Sequence, residues 1–206
     1  MSSSSIDTQT QILDTAERLF SEQGFGATSL RSIIREADVN IGAINYHFGS
    51  KDALISAAID RMAQPIVKAS IERVKQCEAE GLPMTVETIL RAFFGPALEI
   101  ICLEEENRGL VRARFMGQCR TEPAIEIVAA KAFEESTQFF IKALQRALPD
   151  QSESEIQWKL DLAVSMLIRI LCAAYQPGSV LEGNSEKDVE RALSRLVSFA
   201  AAGMKA

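Results

Sequence analysis

The chain has 206 residues, 47% of them hydrophobic and 24% charged, and a net charge of −6. This is the composition of an ordinary globular protein of one large or two small domains, and it offers no basic surplus for binding nucleic acid by bulk charge. No basic-then-apolar leader is found, and no apolar run reaches the ~18–20 residues of a membrane span. Cys77, Cys102, Cys119 and Cys172 form no CxxC pair, the pattern of reduced core thiols in a cytoplasmic protein.

Met1 to Asp7 is Ser-rich and is expected to fray, with Thr8-x-x-Gln11 read as a capping box. A first helix follows, with Ile12, Leu13, Ala16, Leu19 and Phe20 on one face and Gly24 as its stop. Leu30, Ile33, Ile34 and Ala37 fall at i, i+3, i+4 and i+7, a second helical stripe that Thr28 is placed to cap. Asp38-Val39-Asn40 breaks it, and Asn40 caps a third, short helix from Ile41. Ile44 and Phe48 face back, leaving Ala43, Asn45, Tyr46 and His47 mostly outward. Ser50 caps a long fourth helix, with Asp52 in its positive first turn.

Pro65 kinks or ends that helix, and the pattern resumes from Ile66 to Glu80 before the break at Gly81-Leu82-Pro83. A strongly apolar helix is expected from about Thr85 to Leu103, bent at Pro96. Beyond the charged turn Glu104-Glu105-Glu106-Asn107, a helix runs from Leu110 to about Cys119, and Glu122-Pro123 opens another to Leu148. Ser152-x-x-Glu155 starts a helix reaching Tyr175, Gln176-Pro177-Gly178 turns the chain, and Ser185-x-x-Asp188 starts a last helix to about Ala202. No strand alternation or internal repeat occurs, so the fold is expected to be all-α.

Two helices joined by a three-residue turn, the second short and carrying small and polar groups, describe a helix-turn-helix, whose second helix enters the major groove. The pattern Ile12-Leu13, Ala16, Leu19-Phe20, Gly24-Phe25, Thr28-Ser29, Ile33, Ala37, Val39, Gly42, Ile44, Tyr46-His47-Phe48, Lys51 and Leu54 resembles the DNA-binding domain of the tetracycline-repressor (TetR) family of bacterial regulators. It covers about a quarter of the chain and is specific, because many positions agree in register. One departure is Asp38, where the family usually has glycine; aspartate tolerates left-handed backbone better than most residues, so the turn is expected to survive. The resemblance implies a three-helix DNA-binding domain over residues 1–52 and a helical ligand-binding and dimerisation domain over 53–206.

The same resemblance implies roles at the DNA. Thr28 and Ser29 would meet phosphate; Asn40, Ile41, Gly42, Ala43 and Asn45 would face the groove; Tyr46, His47 and Lys51 would hold phosphates and set register. Arg31 would reach the backbone or a base. Asn45 is the best base reader, because an amide bonds adenine in two places, and Ile41 or Ala43 would touch a thymine methyl. Tyr46 filling the domain core and Ile41 as an inconsequential surface residue are the plain alternatives. Charge argues the other way: up to Ile55, Arg18, Arg31, Arg35 and Lys51 stand against Asp7, Asp14, Glu17, Glu22, Glu36, Asp38 and Asp52. Helix N-termini bind phosphate without net positive charge, so the expectation is DNA binding with weak non-specific affinity.

Between Leu160 and Tyr175 nearly every residue is apolar, Asp161, Ser165 and Arg169 excepted, and the last helix is apolar over more than one stripe. Such helices need covering all round, which points to a homodimer with a four-helix bundle built from the last two long helices of each chain; a helix buried wholly inside a large monomer is the plain alternative. Two recognition helices would then meet successive major-groove faces ~34 Å apart or somewhat more, on a palindromic operator in double-stranded DNA.

In the family, the later helices usually enclose a small-molecule pocket. Phe93, Phe94, Phe115, Met116, Trp158 and Met166, with Glu99, Arg112 and Arg169 as polar members, are the candidate lining for a small apolar or amphipathic ligand; plain core is the alternative for the Phe and Met residues. His47 is the only histidine, which removes histidine-pair metal sites, and no catalytic set or phosphate-cradling glycine loop is present, so no enzyme, cofactor or metal is expected. The leading reading is a ligand-responsive regulator, most simply a repressor. The alternatives are an architectural or division-linked DNA-binding protein without an inducer, and an interaction module that no longer binds DNA.

Overall fold

The structure is a computed structural model that describes residues 3–103, 106–174, 178–181, 183 and 185–206. Among the described residues there are ten α-helices: α1 (Ser3–Ala27), α2 (Leu30–Glu36), α3 (Ile41–His47), α4 (Lys51–Ala79), α5 (Val86–Cys102), α6 (Glu106–Gln118), α7 (Pro123–Ala132), α8 (Glu134–Ala147), α9 (Glu153–Cys172) and α10 (Glu186–Lys205).

The first three helices and the start of α4 share one core. Ile12, Ala16 and Phe20 of α1, Ile33 of α2, Ile44 of α3 and Leu54 and Ala58 of α4 are each fully buried. The hydrophobic spacing of α1–α3 therefore folds as the sequence reads. The starting point of α1 differs: the helix begins at Ser3, so Thr8 lies inside it and is no cap. Gly24, at φ +81°, interrupts α1 at the expected place, and one further turn carries the chain to Ala27.

The long helix α4 runs through Pro65 without stopping, 29 residues and roughly 43 Å of helix. An internal proline removes one backbone bond, but α4 is gripped along its length by α1, α5, α7 and α8, and Ile59, Ala63, Ile66 and Val74 are buried on that face. Tertiary packing outweighs the local penalty. The expected boundary between residues 52 and 53 falls in the first turn of α4, which belongs to both halves.

Behind α4, α5 is the central helix of the second half and packs on α4, α6, α8 and α10. Leu90, Phe94 and Leu98 are completely buried, against Phe140, Ile141 and Leu144 of α8 and Val189, Leu193 and Leu196 of α10. The helix expected from Pro123 to Leu148 is two helices, α7 and α8, divided at Phe133 with φ −100° and ψ 2°. No glycine or proline marks that corner; α8 buries Ser136, Phe140 and Leu144, while α7 buries no residue fully. Helix α9 ends at Cys172, capped by Ala173, and α10 starts on a reciprocal Ser185–Asp188 capping box. The expectations for Glu104-Glu105 and for Tyr175-Gln176-Pro177 fall outside the described residues, as does that for the Cys102 side chain. Of the other cysteines, Cys119 is buried, and burial pushes its thiol up to about 12, the behaviour of an inert core thiol.

Candidate nucleic-acid interface

The helix-turn-helix is assembled from local hydrogen bonds. Ser29 caps α2: its Oγ accepts from the Ser32 N–H at 3.1 Å, and the Ser29 N–H donates to Ser32 Oγ at 3.1 Å. Thr28 is placed differently from expectation. It is fully buried, and its hydroxyl donates to the Gly24 carbonyl at 2.8 Å, closing the end of α1. A buried hydroxyl with that partner does not meet phosphate, whereas Ser29 stands exposed at the start of α2. Ser32, the reciprocal member of the box, was missed; a Ser-x-x-Ser spacing is a weaker signal than Ser-x-x-Glu.

Helix α2 ends in a Schellman turn. The Val39 N–H donates to the Ile34 carbonyl at 3.2 Å and the Asp38 N–H to Arg35 at 3.4 Å, with Asp38 left-handed at φ +47°. Asp38 therefore adopts the conformation glycine would supply. Asn40 caps α3 as expected, Oδ1 accepting from the Ala43 N–H at 3.0 Å. A Cβ on Gly42 would stand 2.9 Å from that Oδ1, so glycine here keeps the cap free to form.

Ile44, fully buried, anchors α3 and turns its other face to solvent. Ile41 is 64% and Tyr46 77% exposed, with Gly42, Asn45 and Asn40 exposed beside them and Ala43 and His47 half-buried. The Tyr46 and His47 rings meet edge to face at 5.0 Å. Tyr46 therefore does not fill the core. Arg31 is exposed on α2, whereas the neighbouring Arg35 pairs with Glu36 at 3.5 Å. Lys51 has a structural bond: its ammonium donates to the Phe25 carbonyl at 2.6 Å, tying the start of α4 to the end of α1 and leaving two protons for phosphate.

The DNA-facing half is locked to the rest through α1. Phe20 and Phe25 stack with Phe115 of α6, centroids 6.3 and 5.5 Å apart, and the Gly26 N–H donates to Glu122 Oε1 at 3.0 Å. Glu122 stands at the N-cap of α7 but makes no cap bond there. A second link joins Arg61 of α4 to Asp14 and Glu17 of α1, each at 2.8 Å. Glu17 is 6% exposed, and burial holds its carboxyl above 4.5 despite the attraction of Arg61 and Arg112. A carboxyl raised on folding favours the folded state when protonated, so its contribution grows as pH falls from above the raised value towards 4.5. Relative to Glu17→Gln, the parent chain is therefore expected to gain melting temperature as pH drops from neutral through that window. An unchanged difference would show that Glu17 titrates normally.

The expected ligand residues do not converge on one cavity. Phe93 and Phe94 cluster with Phe140, Phe93 to Phe140 being 4.7 Å. Phe115 belongs to the α1–α6 contact and Arg112 to the surroundings of Glu17, while Glu99 is held by Arg73 through two 2.8 Å bonds. Met116 is buried in the core, Met166 is half-buried, Arg169 is exposed and Trp158 is 59% exposed. Trp158 and Arg169 are thus corrected from pocket to surface: periodicity places a residue on a helix face but does not say which neighbour covers it. Two open concavities of about 500 Å³ include none of the nine.

The apolar breadth of the last two helices is mostly consumed within the protomer. Val189, Ala192, Leu193, Leu196, Val197 and Ala200 of α10 are buried, chiefly against α5, and Leu160, Ala163, Leu167 and Leu171 of α9 are buried too. Trp158 and Leu162 on α9, Leu162 being 47% exposed, and Phe199 on α10, 70% exposed, stand outside, and Val164, Met166, Ile168 and Ile170 of α9 are half-buried.

A three-helix head with a capped, exposed second motif helix, carried on a helical body, defines a helix-turn-helix DNA-binding protein. Residues 12–58 match the family model for bacterial regulatory proteins of the tetR family, and residues 91–203 match the tetracyclin repressor-like C-terminal domain. The chain belongs to the tetR family, whose members are transcriptional regulators rather than enzymes. It is similar to the HTH-type transcriptional regulator AcrR of Shigella flexneri, 37% identical over 109 residues, 53% of this chain and 48% of that one. The HTH-type transcriptional repressor Rv3405c of Mycobacterium tuberculosis is 40% identical over 57 residues, 28% of this chain and 30% of the relative. The matches thus span about half or less of these curated relatives. A crystal structure of a tetR-family regulatory protein from Rhodococcus RHA1 shares the fold with a TM-score of 0.67 at 15% identity, covering 99% of this chain and 98% of that one. Among the described residues no helix is long and apolar enough to cross a membrane.

Proposed function

We propose that the protein regulates transcription, most simply as a repressor, by binding a palindromic operator as a homodimer, with α3 in the major groove. The observation that carries this is the outer face of α3: an asparagine, a glycine and an isoleucine with no packing role stand exposed above a fully buried Ile44. Asn45 reads a base edge, while Ser29, Tyr46, His47 and the free protons of Lys51 hold phosphates on either side. Asn40 and Gly42 act chiefly by forming the start of α3, and Ile41 and Ala43 offer apolar contact. Arg31 reaches the backbone from α2.

Dimerisation uses the outer faces of α9 and α10, where Trp158, Leu162 and Phe199 lie uncovered. Ligand response belongs to the same proposal. The ligand is small and apolar, and the cluster of Phe93 with Phe140, 4.7 Å apart between α5 and α8, is the apolar ground offered to it. Thermal stabilisation by such a ligand would support that part.

The role assignment is tested with paired variants on DNA the protein has selected. Asn45→Ala should cost ~1–3 kcal/mol at one base pair and relax preference there, whereas Tyr46→Phe should weaken all sequences about equally. Identical behaviour of the two across sequences would contradict the assignment.

A further inference from the structure

We propose that Gln11 of α1 is a positioning residue for the recognition helix, holding in place the aspartate turn that sets the angle between α2 and α3. The proposal rests on reading α3 as the helix that meets DNA.

The turn carries a specific difficulty. Asp38 sits at φ +47°, a left-handed conformation that a Cβ disfavours and that glycine adopts freely. The Schellman bonds of Val39 and Asp38 satisfy the carbonyls of Ile34 and Arg35. Ala37 itself is the C-cap of α2, and its carbonyl receives the side-chain amide of Gln11, Nε2 to O 2.8 Å, across 26 residues of sequence. The bond therefore fixes the peptide that leads directly into Asp38.

Packing does not do this job on the same side. A depression of about 530 Å³ opens between α1 and α3, lined by Thr8, Gln11, Asp38, Asn40, Tyr46 and His47 among others. Ala37 and Ile44 secure the turn from beneath, and Gln11 spans the open side. With glycine at position 38 the turn would adopt its geometry without steric cost. With aspartate, a partner on the preceding peptide keeps the competing right-handed conformations out. Any drift of this peptide swings Asn40 and hence the start of α3, where Ile41 and Asn45 are aimed.

The test compares Gln11→Ala and Gln11→Met, which keeps the side chain's length and neutrality but removes the donor, in parent and Asp38→Gly backgrounds. Two readouts are used: amide hydrogen exchange of the free protein, and binding to a duplex that the protein recovers from sheared genomic DNA, beside a shuffled duplex of equal composition. Exchange at the Asp38 and Val39 amides should quicken severalfold with α5 and α10 unchanged. Preference for the recovered duplex should fall about 2- to 10-fold, the range of one net hydrogen bond, with the salt slope unaltered. In the Asp38→Gly background the same substitutions should cost under about twofold. Unchanged exchange at the turn would overturn the proposal. So would an equal loss on both duplexes with a shallower salt slope, which would make Gln11 a phosphate contact. A parent chain that does not distinguish the duplexes would remove the recognition-helix reading instead, and the exchange measurement would still decide the strut.

Discussion

Phe115→Ala is expected to cost about 3–5 kcal/mol of folding stability, the range for truncating a buried aromatic side chain without collapse of the site. Phe115 is 1% exposed and lies against Phe25 and Phe20, which are themselves buried in the DNA-binding head. Removing the ring leaves a void where α1 meets α6, with no flexible side chain among the three rings to refill it. The head should also loosen from the body where α1 meets α6, because Phe115 is the aromatic partner of Phe20 and Phe25 there, while the apolar packing of α1 on α4 and the polar ties of Glu122 and Arg61 remain. Urea unfolding followed at head and body is the measurement. A steeply lowered midpoint, with the head melting first, is the expected result. A loss below about 1 kcal/mol would show that the three rings are not a shared core.

Trp158→Ala combined with Phe199→Ala is expected to convert a dimer into a monomer. In a two-fold interface each side chain occurs twice, so a buried aromatic anchor of about 2 kcal/mol weakens association by about twice that. Both residues are largely exposed on the protomer, so its own core is untouched and the monomer should keep its helical content. Ile127→Ala, on α7 and 70% exposed, is the control and should leave the mass unchanged. Sedimentation at several concentrations reads both. Operator affinity should fall with dimerisation, since a single head retains half the contacts. An unaltered dimer mass in the double variant would place the interface elsewhere.

The head was legible because its signals are local. Apolar residues at helical spacing, Asn40 and Ser50 as caps, and one permissive residue at the turn lie within a few positions of one another. Where two hydroxyls stood side by side, at Thr28 and Ser29, the choice of cap depended on whether Thr28 turned under α1, a tertiary fact. Pro65 left a kink or an end open for the same reason: the helix continues through it because four others pack along it. The corner at Phe133 has no breaker residue to announce it.

The body was legible as helices but not as a site. Phe94 and Phe115 carry the same sequence signal and stand in different parts of one core, Phe94 beside Phe93 on α5 and Phe115 between α6 and α1. The apolar breadth of α10 was read as a surface for a second chain, yet most of it closes on α5. Only the residue-by-residue exposure of α9 and α10 separates what a protomer covers from what it leaves open.

If α3 reads a particular DNA sequence, selection of genomic fragments by the purified protein reveals it. Sequencing the bound DNA at moderate salt should return a short palindrome beside a promoter, with preference relaxed at one base pair of each half-site on Asn45→Ala and the whole motif retained, more weakly, on Tyr46→Phe. Recovery of many dispersed sites without common symmetry would contradict the account, and so would the same enrichment from a protein lacking the Asn45 amide.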